Sequence, residues 1–135
     1  MIRTRKRPAM LAAALLALLL AVGPAQQGAR AQDGGASVVT APGAVLRALD
    51  KIAGTSRDIE LAAGESVNFG RLTITLSECR SPADDPAADA YAHLVIRDAH
   101  QLAPVFRGWM IASSPALNAL DHARFDVWVI RCTSS

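Results

Sequence analysis

The stretch Leu72-Thr-Ile-Thr-Leu76 decides the fold class of this chain. Apolar side chains alternate with hydroxyl-bearing ones, which is the period of a β-strand with one buried face. Threonine and isoleucine have β-branched side chains, and these suit a pleated, half-buried surface. We therefore predict a strand here, with Leu72, Ile74 and Leu76 facing the core.

Similar short runs recur on both sides of this strand, separated by Gly, Pro, Asp and Ser residues that favour turns. The predicted strands are Val45–Ile52, Asp58–Leu61, Val67–Phe69, Leu72–Leu76, Tyr91–Arg97, Val105–Ile111 and Phe125–Cys132. Alternation puts Ala92, Leu94 and Ile96 on one face of the fifth of these strands, and Phe125, Val127 and Val129 on one face of the last. Six or seven short strands without a long amphipathic helix predict an all-β domain. Its architecture is either a compact β-sandwich or a partly open barrel.

One short helix is predicted at residues 114–121. Ser114 offers an N-cap oxygen and Pro115 suits the first helical position. Leu117 and Leu120 are three residues apart and would form one apolar edge. Because so short a helix is unstable alone, it would have to pack against the sheet.

Residues 1–31 have the three parts of a secretory signal peptide. Basic side chains at positions 3, 5, 6 and 7 precede an apolar run of 14 residues, and Ala29-Arg30-Ala31 presents small residues to signal peptidase. At about 1.5 Å per residue the run is shorter than the roughly 30 Å hydrocarbon core, which argues against a transmembrane anchor. We predict cleavage before Gln32, with a cut before Gln26 as the alternative.

The chain then divides into a signal peptide at 1–31, a flexible leader at 32–43 and a β domain at 44–135. The leader consists mostly of small, polar and glycine residues, which gives it no reason to fold. Residues 32–135 contain nine basic and 12 acidic residues, a net charge of −3. No basic run remains, so the composition argues against a nucleic-acid partner.

Cys79 and Cys132 are the two cysteines of the chain. In an oxidising compartment such a pair most simply forms one disulfide. Two separate buried thiols are the alternative, since each cysteine lies in an apolar, strand-like run where a free thiol also packs well.

Three stretches of the sequence carry a resemblance to a known family: Leu46–Gly54, Phe69–Leu76 with Cys79, and Gly108–His122 with Phe125–Cys132. They resemble the family known as domain of unknown function 2155, which occurs in exported proteins of Gram-negative bacteria. This chain has Ala123 and Phe125 where the family often has proline and tyrosine. The resemblance implies a periplasmic location, these domain boundaries and a paired role for the two cysteines, and it implies no activity.

The leading functional hypothesis is a non-enzymatic module that binds or supports another protein of the cell envelope. Tryptophan, arginine and methionine are enriched at interfaces, which makes a binding patch of nearby strand residues attractive. The candidates are Arg107, Trp109, Met110, Trp128 and Arg131. Core packing is the alternative for the aromatic residues. A small-ligand or glycan site would instead need a concave pocket beside Trp109 or Trp128.

A small hydrolase is the alternative enzymatic hypothesis. Ser114, His122 and Asp126 have the side chains of a nucleophile, a base and its orienting carboxylate. Each also has an ordinary structural explanation, and the Gly-x-Ser-x-Gly turn of many hydrolases is missing. The three histidines lack metal-ligand spacing, so neither a metal nor another cofactor is predicted.

Overall fold

The structure is a computed structural model that describes residues 37–134. This range contains eight β-strands and no helix, so none of its segments is a helix that could span a membrane. The strands are β1 Val38–Ala41, β2 Gly43–Asp50, β3 Thr55–Ala62, β4 Ser66–Phe69, β5 Leu72–Pro82, β6 Tyr91–Asp98, β7 Phe106–Ile111 and β8 Phe125–Cys132. The predicted signal peptide and residues 32–36 of the predicted leader lie outside the described residues.

The strands form two antiparallel sheets, and neither closes into a barrel. In the five-stranded sheet the order is β1-β5-β6-β7, and β4 also pairs with β5. In the three-stranded sheet β2 lies between β3 and β8. The all-β prediction is therefore confirmed, with eight strands where the sequence indicates six or seven.

One hydrophobic core takes side chains from both sheets. Leu72, Ile74 and Leu76 of β5 are fully buried, as the alternating pattern predicts. The apolar residues at alternate positions of β6 and β8 are buried too. They are Ala92, Leu94, Ile96, Phe125, Val127 and Val129. Alternation within single strands was thus sufficient to identify the inner face of each.

Residues 38–41, placed by sequence in the flexible leader, form strand β1. Their backbone pairs with the C-terminal part of β5, from Val38 opposite Pro82 to Ala41 opposite Cys79. β4 pairs with the N-terminal part of β5, so β1 and β4 occupy successive parts of one edge. Because β5 continues past the predicted end at Leu76, it offers an edge that a short segment can cover.

The predicted helix at 114–121 is wrong, since these residues form turns and irregular structure. The two leucines of its proposed apolar edge do not share a face: Leu117 is 74% exposed and Leu120 is 5% exposed. Asp89 instead accepts hydrogen bonds from the Ser113 backbone N–H and hydroxyl at 3.0 and 2.6 Å. With one apolar anchor, a single helical turn cannot offset the cost of helix nucleation.

Gly70 makes the tight turn between β4 and β5 possible. Its φ is +57°, which disfavours other residues, and a Cβ there would lie 2.7 Å from the Phe125 ring. The turn therefore brings Arg71 close to the start of β8.

Two β-bulges change which residues of β5 and β8 face the core. The β5–β6 register shifts between Leu76 and Glu78, and the β2–β8 register shifts between Val45 and Leu46. Inward positions on β5 are even-numbered up to Leu76, but after the bulge Cys79 is inward and fully buried. Each bulge thus inserts one residue and reverses the alternation beyond it.

The Sγ atoms of Cys79 and Cys132 are 2.07 Å apart and their Cα atoms 5.8 Å, the geometry of a disulfide. Cys79 lies within β5, opposite Ala41, while Cys132 on β8 lies opposite Ala44 of β2. The bond therefore joins the two sheets.

Candidate functional site

Two cross-strand rows lie on the outer face of the five-stranded sheet, turned away from the core. Alternation in β6 points Ala92 and Leu94 inward, so Tyr91 and His93 point outward. The register then completes the rows Glu78–His93–Trp109 and Arg80–Tyr91–Ile111. We call these six residues the Trp109 face.

The indole of Trp109 is held in place by its neighbours. The guanidinium carbon of Arg80 lies 5.0 Å from the centre of the indole, within cation–π distance. The His93 ring meets the indole edge-to-face, with 5.3 Å between centroids. Arg80 also donates a 2.7 Å hydrogen bond to Glu78, which fixes its own position. Trp109 is therefore a half-buried aromatic side chain whose orientation is set by its neighbours.

A shallow groove of about 250 Å³ runs along this face. It is lined by Val38, Arg80, Tyr91, Trp109 and Ile111. The strand β1 supplies Val38, which is 44% exposed. The groove thus combines aliphatic and aromatic walls with one cation.

His93 has the one buried side-chain polar atom, Nδ1, that lacks a hydrogen-bond partner within residues 37–134. An unpaired buried nitrogen costs about 1–3 kcal/mol. Its position beside Trp109 places an unsatisfied polar atom within the Trp109 face.

The predicted binding patch is not one surface. Trp109 and Met110 are adjacent in β7 and must point to opposite faces, and Met110 is a core residue at 2% exposure. Arg107 shares the outer face with Trp109, since it pairs with Val95 of β6. Trp128 and Arg131 belong to β8 of the other sheet.

Trp128 contributes to a second groove, of about 350 Å³, beside the edge strand β8. Its other walls come from β8 and from the segment between β7 and β8. They are Pro115, Ala116, Ala119, Leu120, Asp126 and Val127. This groove and the Trp109 face are therefore formed by different sets of residues.

A buried polar cluster connects the ends of several strands around Phe125. Asp98, at the end of β6, accepts two 2.9 Å hydrogen bonds from Arg71 and lies 2.7 Å from Nε2 of His122. The Nδ1 atom of His122 accepts the backbone N–H groups of Arg124 and Phe125 at 3.0 and 3.1 Å. These bonds assign the proton of the neutral ring to Nε2, which donates it to Asp98.

A second carboxylate, Asp50, supports the same region. Arg124 donates to both of its oxygens, at 2.7 Å for the shortest contact, and the backbone N–H groups of Ile52 and Ala53 donate at 3.0 Å. These bonds, chiefly that from Arg124, lower the pKa of Asp50 to about 2. The hydrogen bond from His122 is the main reason that the pKa of Asp98 lies well below its ordinary value.

Ser114, His122 and Asp126 are not hydrogen-bonded to one another. His122 binds Asp98, and Asp126 lies 3.6 Å from the ammonium of Lys51. Both ring nitrogens of His122 are already engaged, and its side chain is only 5% exposed. The geometry therefore leaves this imidazole without a free nitrogen for a serine hydroxyl.

No group of three or more His, Cys, Asp or Glu side chains in residues 37–134 is arranged to hold a metal ion.

Five residues of the Trp109 face were not predicted from the sequence: Glu78, Arg80, Tyr91, His93 and Ile111. The signal for Tyr91 and His93 was present, because they alternate with the predicted inward residues of β6. Glu78 and Arg80 could not be assigned in that way, since the bulge in β5 changes the alternation just before them.

Comparisons with known proteins give one family and one relative. The family model described as "Uncharacterized protein conserved in bacteria (DUF2155)" matches residues 44–132. An uncharacterised protein of Rickettsia prowazekii (strain Madrid E) is 33% identical over 88 residues, which is 63% of this chain and 57% of the relative. The chain thus spans little more than half the length of that relative. No solved structure matches.

Proposed function

We propose that this chain, which belongs to the DUF2155 family of uncharacterised bacterial proteins, is an exported, non-enzymatic binding module of the cell envelope. It docks onto another envelope protein through the Trp109 face. The observation behind this proposal is the indole of Trp109, half-buried and fixed between Arg80 and His93. Aromatic and arginine side chains fixed before binding lose little entropy in a complex.

The polar groups of the cluster around Phe125 are used in hydrogen bonds that hold the fold together. This favours a binding role over a catalytic one. Asp98, His122, Asp50 and Arg124 satisfy one another and nearby backbone N–H groups. A hydrolase based on Ser114, His122 and Asp126 would need His122 to release one of these bonds. The side chains of the Trp109 face, by contrast, are half-buried on the outer surface of the sheet and lie outside the core, so their removal should leave the core intact.

A protein partner fits this face better than a small molecule does. The groove along it is shallow and about 250 Å³ in volume, somewhat smaller than the roughly 300–1,000 Å³ clefts that bury small ligands. Tryptophan, tyrosine and arginine, which this sheet surface presents, are residue types enriched in the hot spots of protein interfaces.

We expect Trp109→Ala to abolish capture of the partner. Hot-spot tryptophans contribute about 2 kcal/mol or more, which corresponds to at least about 30-fold in affinity. The measurement is chemical crosslinking in intact cells followed by purification of the tagged chain. Trp128→Ala is the matched control, since it removes an indole from the other sheet.

Thermal unfolding of both variants separates binding from folding. The proposal predicts that Trp109→Ala loses its crosslinked species while keeping a cooperative transition. Equal retention of the partner by both tryptophan variants would show that the Trp109 face is not the interface.

Export to the periplasm is supported by the disulfide geometry of Cys79 and Cys132, because disulfides persist in oxidising compartments. We expect the mature protein to begin at Gln32. N-terminal mass spectrometry of the protein from fractionated cells checks this, and replacing Ala29 and Ala31 with bulky residues should block processing. Recovery of chains that retain Met1 from wild-type cells would contradict cleavage.

A further inference from the structure

We infer that the partner presents an acidic segment, whose carboxylates bind Arg97 and Arg107 beside the Trp109 face. The inference rests on the proposed function and adds the chemistry of the partner. Arg97 and Arg107 are both exposed and lie on the same outer face as Trp109.

The two arginines are neighbours on that face. Arg107 of β7 pairs with Val95 of β6, and Arg97 follows Val95 by two residues on the same side of β6. Such diagonal neighbours are about 7–8 Å apart in an antiparallel pair. Within residues 37–134 neither forms an ion pair or a side-chain hydrogen bond. The pairs that do form there involve Arg47, Lys51, Arg71, Arg80, His122 and Arg124.

The net charge of the outer face around these residues is opposite in sign to the net charge of the domain. Arg80, Arg97 and Arg107 lie on it against one acid, Glu78, and Glu78 is already bound to Arg80. Residues 37–134 as a whole contain nine basic and 11 acidic residues, a net charge of −2. Two neighbouring like charges repel each other, and a carboxylate between them relieves that repulsion.

An acidic protein segment fits these features better than an anionic membrane does. Membrane docking needs apolar side chains that protrude, but Trp109 and Tyr91 are half-buried and Trp109 is covered on one side by Arg80. The most exposed large apolar residues lie in turns and loops, not on the strands that form this face. They are Ile52, Leu102 and Leu117.

The test places a photoreactive phenylalanine analogue in the full chain, expressed in its own host, at Val95 in one strain and at Ile111 in another. Val95 lies beside both arginines, and Ile111 lines the groove. After irradiation, mass spectrometry identifies the peptide attached at each position. We expect a protein peptide rich in Asp and Glu at Val95.

Charge variants then test the role of the arginines. Arg97→Glu with Arg107→Glu should lower the crosslink yield at Val95 by about tenfold or more, because like charges would face each other. Arg97→Lys with Arg107→Lys should retain most of it. Arg131→Glu is the control, since it reverses an exposed arginine of the other sheet.

The outcomes separate the inference from the proposed function. A crosslink at Ile111 would support the docking face. If Val95 in the same experiment attached to a lipid, or to a peptide without acidic residues, the acidic partner would be wrong while the proposed function would stand. Yields that do not respond to charge reversal would overturn the acidic partner too. If irradiation attaches nothing at either position, the Trp109 face is not a docking surface, and the proposed function is wrong.

Discussion

Asp98→Ala should lower the melting temperature of the domain by roughly 10 °C or more, because it removes the centre of the buried polar cluster. The carboxylate is 1% exposed and binds both Arg71 and His122. Without it the Nε2 proton of His122 has no acceptor, and the cation of Arg71 loses its partner. Thermal unfolding followed by circular dichroism measures the effect.

Asp58→Asn is the matched control for this substitution. Asp58 is also paired with an arginine, Arg47, but its side chain is 50% exposed. Exposed ion pairs contribute about 0–1 kcal/mol, so the control should change the melting temperature by only a few degrees. Similar shifts for the two variants would show that burial of Asp98 is not what makes its contacts important.

The same cluster gives the domain a defined acid sensitivity. The pKa of Asp98 and that of Asp50 are both lower in the folded chain than the ordinary value of about 3.9. Their contribution to the free energy of unfolding is therefore complete above about pH 4 and is lost as the pH falls towards the folded values. For Asp50 that value is about 2.

Urea unfolding between pH 7 and pH 2 should thus show a stability that declines below about pH 4. In Asp98→Ala the decline should be smaller, because one of the carboxyl groups with a lowered pKa is gone. If the free energy of unfolding of that variant fell with pH as steeply as that of the wild type, the role assigned to Asp98 would be contradicted.

How far the sequence predicts this structure depends on how local the signal is. Alternation within one strand is local, and it identified the inward residues of β5, β6 and β8. The same principle would have separated Trp109 from Met110, because adjacent strand residues cannot share a face. Grouping them as one patch used proximity in sequence and ignored that alternation.

The rest depends on contacts between distant residues. The partner of His122 is Asp98, at the end of a strand 24 residues earlier, and the nearer Asp126 binds Lys51 instead. Strand β1 exists because β5 is long enough to pair with it. The leader composition could not indicate this, since the hydrogen bonds are made by backbone groups that every sequence has.

The disulfide should contribute up to about 4 kcal/mol to the free energy of unfolding. Cys79 and Cys132 are 53 residues apart, so the bond restricts most of the described domain in its unfolded state. It also anchors the end of β8, an edge strand whose last residues would otherwise fray. Urea unfolding with and without dithiothreitol should show a lower midpoint in the reduced protein.

The double variant Cys79→Ala with Cys132→Ala is the control for other effects of the reductant. It should unfold at a low urea concentration whether or not dithiothreitol is present. A reductant effect that persists in this variant, or a wild-type midpoint that does not move, would contradict stabilisation by the bond.

The bond in turn depends on the two bulges, because strict alternation would point both cysteines away from the core. On β5 the inward residues up to Leu76 are even-numbered, and on β8 those up to Val129 are odd-numbered. Cys79 and Cys132 break these two series, and each lies just beyond a register shift. Deleting Ser77 should therefore turn Cys79 outward and give a protein in which both thiols react with a labelling reagent after denaturation without reduction. The wild-type protein, treated in the same way, should react with none.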